Sequence, residues 1–202
     1  MKKIIITIIT FILAVGLCSC GGPTPTETVD SFLSAVKAED SEVINSVYSS
    51  GDFEFNNEIY DPDSDDEFTK ELYESLIPKI LEFEYEISNE KIEDDKATVD
   101  VKFTTYNIGS TLTSFMSEYV TQAMALAFSN ASDEQIVSLG ETLLKSKIDT
   151  MEKNYTDTVS VSLTQKDGAW IIDEFEEDGD FYNAFLGGAV DAVNDLEKAY
   201  DF

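Results

Sequence analysis

The sequence predicts an α+β domain: an antiparallel sheet of about four strands packed on helices, with a helical hairpin inserted between two strand pairs and a helix at the C-terminus. Three observations carry that expectation. Apolar residues recur at helical spacing up to Leu81 and then switch to strict alternation at Phe83-Glu84-Tyr85-Glu86-Ile87. Strand-like runs come in two pairs, each divided by turn chemistry, Glu93-Asp94-Asp95-Lys96 in one and Lys166-Asp167-Gly168 in the other. A long stretch of helical periodicity separates the pairs, so helices and strands are segregated.

Taken in order, Thr24 caps a first helix, Pro25 suits its first position and Glu27 completes a capping box. Val29, Phe32, Leu33 and Val36 make its apolar face. Asp40 opens a second short helix carrying Val43, Ile44, Val47 and Tyr48, and Gly51 ends it. After an acidic loop, Leu72, Leu76, Ile80 and Leu81 define a third helix from Phe68. The first hairpin pairs the strand at Phe83 with Val99, Val101 and Phe103, whose neighbours Asp100, Lys102 and Thr104 face the other way.

The inserted hairpin places Leu112, Phe115, Met116, Tyr119, Val120, Ala123 and Ala127 on one helix. Ile136, Leu139, Leu143 and Ile148 lie on the next, which opens with the capping box Ser132/Gln135. Strands return at Val159, Val161 and Leu163 and, beyond the Asp-Gly turn, at Trp170-Ile171-Ile172. A last helix runs from Tyr182 to Leu196, with a kink at Gly187-Gly188.

The first residues read as a leader. Met1-Lys2-Lys3 is positive, and residues 4–17 are uncharged and mostly apolar. That run is shorter than the ~20 residues a spanning helix needs and fits a signal peptide. Leu17-Cys18-Ser19-Cys20 resembles the lipobox of bacterial prolipoproteins, in which the final Cys is diacylated before cleavage. The resemblance implies a lipoprotein signal peptide over 1–19, a lipidated Cys20 with a tether over 20–26, and a single α+β domain over 27–202. A single acyl chain holds a protein only marginally, whereas the two chains of a diacylglyceryl group hold it stably. The expected place is the outer, extracytoplasmic face of the cell membrane, with the membrane as partner through Cys20.

Composition narrows the rest. The 202 residues carry 13 basic and 41 acidic side chains, a net charge of −28; every basic residue is Lys, and there is no Arg or His. Loss of Lys2 and Lys3 with the signal takes the charge to about −30. Such a field excludes nucleic acid as a partner and favours a cationic or small-molecule ligand. With 43% hydrophobic residues in periodic runs, the chain folds rather than remaining disordered.

The stretches at residues 24–37 (TPTETVDSFLSAVK) and 167–173 (DGAWIID) resemble the cystatin-like or nuclear-transport-factor-2-like domains of small bacterial lipoproteins, many of them Gram-positive and of unknown function. That resemblance implies a cone-shaped fold, in which a curved sheet wraps a long helix and leaves a pocket. Pocket use varies among such domains, so fold alone does not supply function.

Candidate chemistry is sparse. Without His there is no triad built on it, and no thiol remains in the mature chain beyond the acylated Cys20. Ser34-Ala35-Val36-Lys37 matches SxxK without the partner motifs of penicillin-binding enzymes. Asp61, Asp63 and Asp65 have the alternate spacing of calcium-loop ligands, but Asp66 stands where Gly is needed and Leu72 where Glu is. Those residues are a solvated acidic loop or a weak metal site. Glu174, Glu176, Glu177, Asp178 and Asp180 are a solvated run or the mouth of a pocket. Tyr85 and Trp170, with Tyr106, Phe175, Phe181 and Tyr182, are core residues or pocket lining.

No cofactor is expected. The function expected is a non-enzymatic binding or interaction module. The alternative is a dehydratase- or isomerase-type pocket enzyme with a carboxylate base and a Tyr donor, which needs a buried carboxylate facing Tyr across a cavity.

Overall fold

A computed structural model of the chain describes residues 22–50, 53 and 67–200. Helix α1 (Pro25–Ala38) starts as its sequence dictates: the Thr24 hydroxyl accepts from the Glu27 N–H, and the Glu27 carboxylate accepts from the Thr24 N–H. Residues 25 and 26 therefore belong to the first helical turn rather than to the tether. Val29, Phe32, Leu33 and Val36 are all buried. Helix α2 (Ser41–Val47) stops short of the Gly51 expected to end it. Tyr48 turns extended to form a parallel bridge with Ile172, and Ser49 N–H donates to the Ile172 carbonyl. Helix α3 (Glu67–Leu81) reaches the core through Ile77 and Ile80 in its C-terminal part.

The four strands are β1 (Glu84–Glu93), β2 (Lys96–Thr105), β3 (Tyr155–Lys166) and β4 (Ala169–Ile172), in the order β1-β2-β3-β4, with every neighbour antiparallel. The β3–β4 turn has both central residues left-handed, Asp167 at φ 51° and Gly168 at φ 86°. That is the two-residue turn whose twist matches the flanking strands. Side chains alternate as the period demands. Val99, Val101, Phe103, Val161 and Leu163 point inward and are buried, while Thr98, Asp100, Lys102, Ser160 and Ser162 point outward. The edge strand β1 carries a bulge: Ser88 pairs with Asp100 and Lys91 with Thr98, so Asn89 and Glu90 face Val99 alone. Asn89 sits at φ 55° and its amide donates to Asp100, while the Glu90 carboxylate accepts from the Thr26 N–H.

Helices α1, α2 and α6 (Asp180–Phe185) cover the inner face of the sheet. Between them and the strands lies an aromatic core. Phe32, Phe53, Phe103, Phe175, Phe181 and Phe185 meet edge to face or stacked, with Phe175 and Phe181 parallel at 3.6 Å between centroids. Tyr48 joins them, its hydroxyl accepting from the Phe175 N–H at 2.9 Å. Thr105, fully buried at the end of β2, has no hydrogen-bond partner for its hydroxyl.

A second group of helices projects from the sheet at the end where Thr105 pairs with Tyr155. The inserted hairpin is α4 (Ile108–Phe128) and α5 (Asp133–Asp149). Asn107 caps the first helix, and the expected Ser132/Gln135 box caps the second. Lys147 bridges to Glu118 and Ser114, and the Tyr119 ring lies over Gly140.

The expected helix over Tyr182–Leu196 is not one kinked helix. It is broken into α6 and α7 (Ala189–Tyr200) by Gly187 and Gly188, at φ 59° and 78°. The cause lies elsewhere in the chain. Gly187 presses against the Tyr106 carbonyl, where a Cβ would collide, and its own carbonyl accepts from the buried Gly109 N–H at 3.0 Å. Helix α4 packs mainly on α7 and α5, and α5 also on α3. At the opposite end of the sheet, Gly22 sits beside the Gly168 carbonyl. Among the described residues, no helix is long and apolar enough to cross a membrane.

Candidate functional site

A cluster of converging polar groups lies where α1 crosses the edge strand β1. Asp30, Ser34 and Lys37 stand one helical turn apart beside the buried stripe of α1, so they face the rim of the core. Tyr85 faces the same rim from β1. Its hydroxyl donates to Asp30 Oδ1 at 2.8 Å and lies 3.0 Å from Ser34 Oγ. Burial pushes the Tyr85 hydroxyl above its usual range; the Ser34 bond opposes that shift and the Asp30 carboxylate adds to it. The Lys37 ammonium lies 5.1 Å from the centre of the Phe83 ring and 5.9 Å from that of Tyr85.

An open depression of about 330 Å³ adjoins this cluster, lined by Lys37, Glu84, Tyr85, Glu86, Lys102 and Thr104. Glu84 pairs with Lys153 at 2.7 Å and Glu86 with Lys102 at 3.6 Å. The Lys153 contact holds the Glu84 carboxyl below its ordinary value, with Lys37 adding a smaller effect in the same direction. The depression thus gathers cations in a chain poor in them, interleaved with carboxylates. Such a surface suits a small mixed-charge ligand.

Each residue singled out in the sequence has its place. Tyr85 lines the depression. Trp170 does not share it: it lies on the other edge strand, β4, opposite Gln165, and packs into the core with 8% of its surface exposed. Three strand spacings and about eight residues of strand length separate the two, on the order of 30 Å. They cannot line one pocket. Ser34 bonds Tyr85 rather than Lys37, so the SxxK spacing does not form a nucleophile and base pair.

Of the acidic run, Asp173 is half-buried and accepts from the Thr164 hydroxyl at 2.6 Å. Glu174, Glu176 and Asp180 are exposed around an open depression of about 310 Å³ floored by Phe175 and Phe181. Tyr106 donates to Glu82 at 2.9 Å, and that bond is the main reason its hydroxyl is pushed up. Cys20, Asp61, Asp63 and Asp65 lie outside the described residues.

Among the described residues, the buried polar side chains are Thr28 and Thr105, so no carboxylate there is buried. The tyrosine–carboxylate pairs that do form, Tyr85 with Asp30 and Tyr106 with Glu82 among them, involve exposed carboxylates and are in direct contact rather than facing across a cavity. No group of three or more metal-ligating side chains occurs among the described residues. The sequence reading missed Asp30. Its signal was positional, since Asp30 stands four residues before Ser34 on the polar margin of an amphipathic helix. Comparison with known proteins finds no family model, curated protein or solved structure that this chain matches.

Proposed function

We propose that this chain is a bacterial lipoprotein, anchored through a diacylated Cys20 on the extracytoplasmic face of the cell membrane, and that its folded part is a non-enzymatic binding or interaction module. The observation that carries the reading is the order Lys2-Lys3, the apolar run of residues 4–17, and Leu17-Cys18-Ser19-Cys20. The start of the fold agrees with it: the capping residue Thr24 follows Cys20 closely, so the tether is only a few residues of Gly and Pro. A chain with no His and no second mature Cys has few residue types for acid–base or thiol chemistry near neutral pH, which favours binding over catalysis.

The test is Cys20→Ser in a bacterial host that processes lipoproteins. The wild-type protein partitions into detergent and membranes. The variant either keeps its leader or appears in the medium. A Cys20→Ser protein that is still cleaved, membrane-bound and detergent-partitioning overturns the anchor.

A further inference from the structure

Taking the domain as the binding module proposed above, we infer that the depression between α1 and the edge strand β1 holds a small zwitterion, a free α-amino acid or short peptide. Its carboxylate meets Lys37 and its ammonium meets Glu86. Lys37 is a cation left without an acid. Acidic residues outnumber basic ones by 41 to 13, yet Lys37 forms no ion pair with any described residue. Glu84, whose carboxyl feels its charge, is taken by Lys153 at 2.7 Å. The Lys37 ammonium lies instead 5.1 Å from the Phe83 ring centre and 5.9 Å from that of Tyr85. A ring face positions an ammonium without cancelling its charge. Tyr85 is itself fixed, its hydroxyl bonded to Asp30 and Ser34.

The same depression contains a loosely held acid. Glu86 lies 3.6 Å from Lys102, beyond hydrogen-bond range, and 78% of its side chain is exposed. An exposed pair of that kind contributes little and exchanges partners readily. A ligand ammonium that takes Glu86 frees Lys102, which then joins Lys37 in facing the ligand carboxylate. Lys37, Glu86 and Lys102 line one space of about 330 Å³, a volume in the range of small-molecule sites.

Charge selects the ligand. A plain anion approaching Lys37 must cross the field of a chain of net charge −28, which repels it. A plain cation finds carboxylates over most of the surface, and a place where Lys37, Lys102 and Lys153 stand around Glu84 and Glu86 attracts it less than most. A zwitterion has no net charge to be repelled. It gains from both of its ends only where an unpaired cation and a weakly paired acid lie side by side, as Lys37 and Glu86 do.

The test is amide NMR titration of the full chain in non-ionic detergent with alanine and with alanyl-alanine. One or both shifts the signals of Tyr85, Glu86 and Lys102 saturably, and the tighter of the two tells amino acid from peptide. N-acetylation of that ligand, which removes its ammonium, and amidation, which removes its carboxylate, each weaken binding at least ~10-fold. Lys37→Met weakens the uncapped and acetylated forms and leaves the amide unchanged; Glu86→Gln weakens the uncapped and amidated forms and leaves the acetylated one unchanged. Lys70→Met, at an exposed lysine on α3, changes none of them. Unmoved signals from the buried residues of β2 and β3 show that the variants are folded. No saturation by about 10 mM, equal affinity for capped and uncapped ligands, or binding untouched by both Lys37→Met and Glu86→Gln overturns the proposal. Free alanine released from the dipeptide, with both variant effects intact, supports the ligand class and overturns only the non-enzymatic reading of the module.

Discussion

Gly187 and Gly168 provide a paired test of what holds the two helical groups in place. Both have left-handed backbones, with φ of 59° and 86°, so replacement by Ala carries the same intrinsic strain, ~1–2 kcal/mol. Their surroundings differ. Nothing lies within 4 Å of a Cβ built on Gly168, at the open β3–β4 turn. A Cβ on Gly187 meets the Tyr106 carbonyl, with the Ile108 nitrogen at 3.2 Å, and both are backbone atoms that cannot swing aside.

Relief at Gly187 requires the junction of α6 and α7 to lift off the start of α4. That movement breaks the Gly109 N–H to Gly187 carbonyl bond and leaves a buried donor unpaired, ~1–3 kcal/mol more. The totals are ~1–2 kcal/mol for Gly168→Ala and ~2–5 kcal/mol for Gly187→Ala. A domain of this size changes Tm by ~2–4 °C per kcal/mol. Thermal unfolding followed by circular dichroism therefore shows a fall of about 2–8 °C for Gly168→Ala and a larger one, in the range of roughly 4–20 °C, for Gly187→Ala. Equal falls, or a Gly187→Ala protein within ~2 °C of wild type, refute the claim that close backbone contact fixes this junction.

Two further outcomes follow from groups in or near the core. Thr105→Val removes a buried hydroxyl with no partner while keeping the side-chain shape, and raises stability by ~1 kcal/mol, seen as a Tm increase of ~2–4 °C; a clear loss in the same melt would mean that the hydroxyl is solvated in the fold. Burial, with Tyr48 and the carboxylates of Glu177 and Glu174 adding to it, pushes the Tyr182 hydroxyl up to about 12. Its neutral form is therefore favoured in the fold: that stability is fully present below the ordinary value of 10 and is lost as pH rises through about 12. Ultraviolet titration of tyrosinate, wild type against Tyr182→Phe, checks this, and a difference spectrum titrating near 10 in folded protein contradicts it.

The elements that the sequence disclosed are those whose signals are local. The capping boxes at Thr24 and Ser132, the change of period at Phe83 and the Asp-Gly turn all act within a few residues, and the structure contains each of them. The errors arise where a distant partner decides. Tyr48 fits the spacing of α2, yet Ile172, far along the chain, draws it into a bridge. Gly187-Gly188 interrupts an apolar pattern that resumes in phase, so a kink was the natural reading; the Tyr106 carbonyl makes it a break. The candidate site was half legible for the same reason. Ser34, Lys37 and Tyr85 each stood out, but that Tyr85 would meet Asp30 and Ser34 depends on β1 lying at the sheet edge beside α1.

The treatment of the two sheet edges bears on how this protein behaves when crowded. An open strand edge is a template on which another extended chain can add, the first step toward fibrillar aggregation. Here one edge is interrupted by the two-residue bulge at Asn89 and Glu90, which breaks the straight row of free N–H and C=O groups. The other edge is only four residues long, and its last residue, Ile172, is already taken by Tyr48 and Ser49. Strand exchange between neighbours is thereby disfavoured at both ends of the sheet, even at high local density, and encounters between copies are left to side chains rather than backbone.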